Sequence, residues 1–347
     1  ALALLLSVAL LPVTRALQKL GLPRVPAVLI VLVLTLAVLA GALVVLAGQA
    51  TLRRLLYGAD HPLGLPTHGD PAVLARLPAA DVAAFQRRAL QPQQAALVLV
   101  GRVTIAEARR LAQQTFTGLP TPPSGAPADT DPLVAPPLKP PSRPGVYLVP
   151  WPGLSQTTLI AGRLLPLLPR ERVMPIRRGL GQISGNLFHE LRSERGVTYD
   201  TAGGLHVGRR GAAYVLQLSV QNDAAKRSLQ ATRSTLLDAS DNRGAFGHMD
   251  SEWGEKAMYR LRASLALDVV YRFEGIEETA QAAGLLFQRG WPLTSHQDEL
   301  MQAQELKGGT ISESTYGLYD REDFRFVLVG DPDQIRRQLP GEDLQTP

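Results

Sequence analysis

The stretch ISGNLFHELRSERGVTYDTAGG, residues 183–204, contains a helix end, a glycine turn and the start of a strand. Apolar residues before the turn recur at spacings of four and three, which predicts one helix over residues 171–195. These apolar positions are Ile176, Leu180, Ile183, Leu187 and Leu191. Arg192 lies in the last predicted turn, where the helix dipole favours a cation, and Gly196 supplies the left-handed cap. Tyr199 follows at the start of a predicted strand, and these features alone are typical of ordinary structure.

Length, charge and cysteine content limit the possible classes of protein. The 347 residues are enough for two domains with their own cores. The formal net charge of +5 comes from scattered basic pairs, and no basic run is interleaved with aromatic residues, which argues against a nucleic-acid surface. The absence of cysteine excludes disulfides, thiolate zinc sites and a cysteine nucleophile.

The N-terminal part of the chain is apolar. No charge occurs between Arg24 and Arg53, a run longer than the ~20 residues that cross a bilayer, which predicts one full span at about 26–48. The uncharged residues 1–14 are too short for a span and are interpreted as the end of a truncated first one. Residues 1–50 are therefore expected to form a transmembrane hairpin. Its apolar pattern resembles the N-terminal helices of autoinducer-2 exporter-type permeases.

Charges beside the predicted span suggest its orientation. Arg15, Lys19 and Arg24 favour a cytoplasmic turn, which would place the soluble part outside the cytoplasm, in the periplasm. Arg53 and Arg54 on the far side nearly balance that bias.

From residue 52 the composition becomes that of a soluble protein. ADVAAFQRRAL (80–90) predicts a helix, AALVLVG (95–101) a buried strand, and TIAEARRLAQQTF (104–116) a helix that opens with a capping box of Thr104 and Glu107. Residues 119–144 then hold 10 of the 27 prolines, which predicts a stiff linker.

A second α/β unit follows the linker. GVYLVPW (145–151) and TTLIAGRL (157–164) read as strands, and AAYVLQLSV (212–220) alternates apolar and other residues as a half-buried strand does. Several helices are expected between about 223 and 305. The closing segment FRFVLVGDPDQIRRQL (324–339) predicts a strand and a helix that is capped by Asp331, with Pro332 in its first turn.

One unit occurs twice. ALVLVGRVTIAEARRLA (96–112) and RFVLVGDPDQIRRQL (325–339) share a strand, a glycine turn and a capped helix, which indicates two copies of one domain type. Residues 52–118 contain a single clear strand, too little for a sheet. The apolar faces of this first copy are therefore expected to stay partly uncovered unless the second domain or a partner covers them.

Three segments together resemble the insulinase (pitrilysin) family of zinc peptidases: residues 55–101, 152–162 and 183–204. The resemblance covers about residues 52–340. It implies an α+β fold in which each domain is a mostly antiparallel sheet packed with helices, with a partial copy at 52–118 and a complete C-terminal-type copy at 145–340. In that family two homologous halves enclose a chamber and zinc sits in the N-terminal half.

The same resemblance implies a role for two residues. An arginine and a tyrosine of the family's C-terminal half reach the bound peptide, and Arg192 and Tyr199 match their positions. A guanidinium and a phenol stay protonated near neutral pH, so both can donate to a substrate carbonyl and stabilise charge that develops on it. The resemblance therefore implies that Arg192 and Tyr199 bind substrate.

The family's metal motif is missing from this sequence. None of the six histidines begins an H-x-x-E-H sequence, and Ser193 stands where an H-E-x-x-H helix starting at His189 needs its second histidine. His61 and His68 are seven residues apart in a Pro/Gly loop, and we predict no metal there. No catalytic residue, metal ligand or general base is predicted in this chain, and zinc is expected on a partner chain.

Two functional hypotheses remain. The first is a membrane-anchored pseudoenzyme that binds peptide and forms a heterodimer with a catalytic, zinc-bearing insulinase-family chain. The second is a non-enzymatic scaffold, or a chimera of a permease N-terminus and a peptidase fragment. A transporter would need more spans than the sequence contains.

Overall fold

The computed structural model describes residues 15–16, 18–19, 21, 23–66, 69–89, 95–116, 139–194, 196–209, 211–240, 252–318 and 323–347. The predicted first span (1–14) and most of the predicted linker (119–138) lie outside these residues. The described helices before the linker are α1 Arg24–Tyr57, α2 Pro71–Leu74, α3 Ala79–Ala89 and α4 Ile105–Thr115.

One six-stranded sheet forms the centre of the fold. Its strands are β1 Gly145–Pro150, β2 Gln156–Leu165, β3 Thr198–Val207, β4 Ala212–Gln221, β5 Arg325–Gly330 and β6 Leu344–Gln345. They lie in the order β3-β4-β2-β5-β1-β6. β1 pairs in parallel with β5 and β6, while the pairs β2–β4, β2–β5 and β3–β4 are antiparallel. The sheet confirms the expected α+β fold.

The helices after the linker lie between these strands along the chain. They are α5 Arg170–Phe188, α6 Ala225–Ser240, α7 Glu252–Tyr271, α8 Ile276–Arg289, α9 Ser295–Glu305, α10 Gly308–Thr315 and α11 Pro332–Gln338. The predicted helix over 171–195 is thus α-helical to Phe188 and continues as a π-helical segment, His189–Glu194. The predicted cap of α11 is present, because the Asp331 side chain accepts from the backbone N–H groups of Asp333 and Gln334.

One face of the sheet packs against α5 and α6. The alternating residues of β4 on this face are at most 1% exposed, and they share a core cluster with the apolar residues of α5. The β4 residues are Tyr214, Leu216, Leu218 and Val220. The period-two pattern of β4 and the helical period of α5 therefore face each other, as the sequence predicts.

The opposite face of the sheet is covered by the C-terminal half of α1. Val44 and Leu52 of this helix share a buried cluster with Ile160 and Val329 of the sheet. A Cβ atom on Gly48 would lie 2.6 Å from Ile160 Cδ1 and 2.9 Å from Val329 Cγ2, closer than real Cβ contacts. The helix can approach the strands this closely because residue 48 has no side chain.

The N-terminal half of α1 is largely exposed, although Ala27 and Val31 within it are buried. The helix has 34 residues, and a rise of 1.5 Å per residue makes it about 50 Å long. Of the described helices, α1 alone is long and apolar enough to cross a membrane, and only 14% of its most apolar window is buried. The predicted span at about 26–48 overlaps the part of α1 that packs on the sheet at Val44–Gly48.

The first copy of the repeated unit is incomplete. The capping box of α4 is present, since the Glu107 N–H donates to Thr104 Oγ1 at 3.2 Å and the Thr104 N–H donates to Glu107 Oε2 at 2.8 Å. The predicted strand at 95–101 was wrong: residues 95–100 pair with no described strand. Of the described residues between 69 and 116, none is buried. A strand forms only beside another strand, and the described residues between 69 and 116 contain no second one.

Candidate functional site

The candidate site lies where the π-helical segment turns into β3. Gly196 has φ +66°, the left-handed conformation that glycine adopts without strain. The Gly196 N–H donates to the Arg192 carbonyl at 3.1 Å, and the Val197 N–H donates to the Leu191 carbonyl at 2.9 Å. These two bonds satisfy carbonyl groups at the helix end. The prediction that Gly196 ends the helix is therefore correct. The last turn before it is π-helical and not α-helical.

Buried residues on both sides anchor this turn. Leu191 and Thr198 are fully buried and Val197 is 7% exposed. The Thr198 hydroxyl donates to the Ser219 carbonyl on β4 at 2.7 Å. Because the residues on both sides of the turn are buried, they fix the backbone at Arg192.

The Arg192 side chain is exposed and follows the turn toward β3. Its Nη1 atom donates to the Thr198 carbonyl oxygen at 3.5 Å. The guanidinium thus lies beside the peptide bond that joins Thr198 to Tyr199.

β3 is an edge strand with a bulge at the same place. In the described sheet it pairs only with β4, and its register shifts between Thr198 and Thr201. Three residue steps on β3 face two on β4, so the backbone of Tyr199 lies within the bulge. The side chain of Tyr199 lies outside the described part of the structure.

The edge of β3 and the Arg192 side chain could together bind an extended peptide. An edge strand presents unpaired backbone N–H and C=O groups that can bind an extended peptide as a further strand. Arg192, at the start of that edge, can donate to a carbonyl of such a peptide. π-helical segments and bulges recur at functional sites, and neither was predicted from the sequence, since both depend on pairing with distant residues.

The histidines do not form a metal site in the described residues. His61 Nδ1 accepts the Leu63 N–H at 3.1 Å and its ring stacks on Tyr57, while His68 lies outside the described residues. His189 and His206 are exposed. No three His, Cys, Asp or Glu side chains in the described ranges could hold a metal ion together. The described side chains do not fit zinc.

Arg177, Arg272 and Glu299 form a cluster of charges that links α5, the end of α7 and α9. Glu299 accepts two hydrogen bonds from Arg272, at 2.8 and 3.1 Å, and lies 3.8 Å from Arg177. Burial would raise the pKa of Glu299, but Arg272, with smaller effects of Arg177 and His296, lowers it below its usual value. Burial lowers the pKa of Arg177. These charges satisfy each other, so we interpret the cluster as structural.

A concave surface that sequence reasoning missed lies where α1 meets the edge of the sheet. A cavity of about 370 Å³ opens there, and Gln49 Nε2 donates to Gln217 Oε1 at 2.9 Å beside it. Arg53 and His206 contribute polar groups to its wall. The cavity could not be predicted, because it is created by the packing of α1 on strands more than 150 residues away.

The family model that describes the peptidase M16 inactive domain matches residues 76–244. This part of the chain is similar to the peptidase M16 inactive domain. This confirms the resemblance to the C-terminal-type domain of the insulinase family, and the matched range includes Arg192 and Tyr199.

Solved structures of M16-like proteins share this fold. A peptidase M16 inactive domain from Pseudomonas fluorescens superposes with a TM-score of 0.64 at 19% identity, over 82% of this chain and 65% of that one. A protease from Helicobacter pylori gives 0.65 at 15% identity, over 81% and 65%. The periplasmic protease PqqL from Escherichia coli gives 0.61 at 12% identity, over 82% and 30%. At these identities the likeness shows the fold alone.

This chain spans less than two thirds of the length of these solved structures, 65% for the first two and 30% for PqqL. The sequence matches no curated protein.

Proposed function

We propose that this chain is a membrane-tethered, non-catalytic subunit of a zinc endopeptidase. In this proposal Arg192 and Tyr199 bind the peptide, and a partner chain of the same family carries zinc and the general base. The observation that supports it most directly is the position of Arg192, exposed at the start of an edge strand and in contact with the carbonyl that precedes Tyr199.

The proposed chemistry needs only donors from this chain. An extended peptide beside β3 would form backbone hydrogen bonds with the strand, which positions it. The Arg192 guanidinium would then donate to a peptide carbonyl and stabilise negative charge as that carbonyl is attacked. Tyr199 would add a phenolic donor at the same end of the strand. In this proposal the partner, which bears H-x-x-E-H, would supply the attacking water.

The membrane tether is proposed from α1. Most of its N-terminal half is apolar and exposed, including Val25, Leu29 and Val33, at 54–70%. Exposed apolar surface of this extent along one helix is stable in a bilayer. The basic residues before it favour a periplasmic location for the domain, and PqqL, one of the proteins with this fold, is a periplasmic protease.

The test uses the full chain with a co-expressed M16 chain that bears H-x-x-E-H. We expect Arg192→Ala to lower kcat/KM on a peptide by on the order of 10², because one donor to the developing charge is lost. Tyr199→Phe should act in the same direction. Zinc content of the partner and co-purification of the two chains should not change.

Arg227→Ala is the matched control, since Arg227 is an exposed arginine on α6 and its loss changes the charge equally. Full turnover in both Arg192→Ala and Tyr199→Phe would reject the substrate-binding role. That outcome would favour the alternative, a scaffold that assembles through its exposed apolar surfaces.

A further inference from the structure

A small cavity between α5, the end of α8 and α9 is lined by more cations than anions. Its volume is about 20 Å³, which holds roughly one or two water-sized groups. Three arginines and two carboxylates border it, and they are Arg170, Arg177, Arg289, Asp298 and Glu299. The cavity also adjoins Arg272, which is hydrogen-bonded to Glu299 and adds a further cation.

Both carboxylates at this cavity are already hydrogen-bonded or paired to an arginine. Arg170 forms an ion pair with Asp298 at 2.8 Å, and its other Nη atom donates to Ser295 Oγ. Arg272 donates to both oxygens of Glu299, at 2.8 and 3.1 Å. Each of these two pairs balances one cation with one carboxylate, and together they link α9 to α5 and to the end of α7.

Arg177 and Arg289 are the two cations that remain at the cavity. The Arg177 guanidinium lies 3.8 Å from Glu299 Oε1, which is attraction without a hydrogen bond. The Arg289 guanidinium lies 5.0 Å from the centre of the Trp291 ring, and among the described residues no carboxylate is within ion-pair distance of it. Both side chains are partly buried. Two partly buried guanidinium groups therefore lack a hydrogen-bonded anion in the described part of the chain.

These two guanidinium groups are close enough to repel each other. Burial lowers the pKa of Arg177, Glu299 opposes this effect, and the nearby charges of Arg289 and Arg272 lower the pKa further. Burial also lowers the pKa of Arg289. Since both groups border the same small cavity, one ligand can contact both. An anion at this place would offset the repulsion and supply the missing acceptors.

We propose that this cavity binds the carboxylate group of an acidic ligand between Arg177 and Arg289. A guanidinium presents a planar fork of N–H donors that matches the two oxygens of a carboxylate. The volume of about 20 Å³ suits a group with two oxygens, whereas the four oxygens of a phosphate need more room. Val173, Met174 and Trp291 in the wall provide apolar surface for the carbon atoms of the ligand.

The carboxylate site is separate from the edge of β3. Arg177 and Arg192 lie about 15 residues apart on the continuous run of α5 and the π-helical segment, which separates them by about 20 Å along the axis. The inference therefore does not rest on the peptide-binding role of Arg192. A free small acid and an acidic side chain of a peptide present the same carboxylate, and the experiment distinguishes these two sources.

The test measures thermal unfolding of the full chain in detergent, at neutral pH and constant ionic strength. Acetate should raise the unfolding midpoint relative to chloride because it binds the folded state, whereas acetamide, its neutral isostere, should not. Arg177→Gln and Arg289→Gln should each weaken acetate binding by roughly tenfold, since each removes a hydrogen bond between charged groups. Arg227→Gln changes an exposed arginine on α6 and is the matched control, which should respond to acetate as the wild type does.

Peptides with blocked termini identify the source of the carboxylate. A response to GGEGG and not to GGQGG would assign the site to a peptide side chain, and a response to acetate alone would assign it to a free small acid; both results support the carboxylate site. An acetate response of equal size in the wild type and all three variants is a general salt effect and would overturn the proposal. So would the absence of any response to acetate, as when an acidic side chain of the chain itself fills the cavity.

Discussion

The two VLVG segments have the same sequence and opposite environments. Residues 327–330 are fully buried between two strands, whereas residues 98–100 lie in a segment without strand pairing and Leu99 is 43% exposed. The preference of valine and leucine for extended backbone is the same in both. The difference lies in the neighbours, because a strand is stabilised by cross-strand contacts and by the burial of its faces.

The difference extends to the helices that follow. α11 buries Ile335 against the core, whereas no residue of α4 is buried. Both helices have the predicted N-cap, Thr104 for α4 and Asp331 for α11. Local signals therefore place a helix, and packing decides how much it contributes to global stability.

The largest expected effect concerns the matched leucines. Leu328→Ala should destabilise the domain by about 3 kcal/mol, because it removes a fully buried side chain and leaves a cavity. Leu99→Ala should change the stability of the isolated chain by less than about 0.5 kcal/mol. Denaturant unfolding of both variants in detergent measures this contrast, and equal losses would show that residues 95–100 are packed after all.

A second prediction concerns the helix that covers only the second copy. Gly48→Leu should push α1 away from Ile160 and Val329 and destabilise the domain by about 1–3 kcal/mol. Gly41→Leu is the control, since a Cβ atom at that position meets nothing within 4 Å. The two variants gain the same helix propensity, so a difference between their unfolding free energies reports the contact with the sheet alone. No difference would mean that α1 does not dock on it.

The smallest effect is expected at the two caps. Hydrogen bonds from the Gly153, Gln334 and Asp333 backbone N–H groups lower the pKa of Asp331 below its ordinary 3.8. Since the folded-state pKa is depressed, this stabilisation is present near neutral pH and is lost as pH falls through the folded value. Asp331→Ala should therefore lower the thermal midpoint slightly at neutral pH and less in acid.

Thr104→Ala removes the corresponding cap of α4 and should leave the global midpoint unchanged at either pH. Thermal unfolding followed by circular dichroism at both pH values tests the pair. A loss of midpoint in Thr104→Ala as large as that in Asp331→Ala would contradict the independence of α4 from the core.

Much of the second domain could be predicted from the residues. The period-two pattern of β4, the helical period of α5 and the cap at Asp331 are local signals that tertiary packing reinforces, and all three are present. Arg192 and Gly196 also lie at the helix end where the pattern places them. The π-helical segment and the β3 bulge could not be predicted, because each depends on how β3 pairs with β4.

The amino-acid sequence alone determined the caps of α4 and α11, the glycine stop before β3, the repeat, the apolar length of α1 and the lack of a zinc motif, because these depend on neighbouring residues or on composition. Only the tertiary structure decided which copy of VLVG is a strand and that α1 covers the sheet with one half and leaves most of the other exposed. These outcomes depend on contacts between segments more than 100 residues apart, and the free energy of burial belongs to both partners of a contact together.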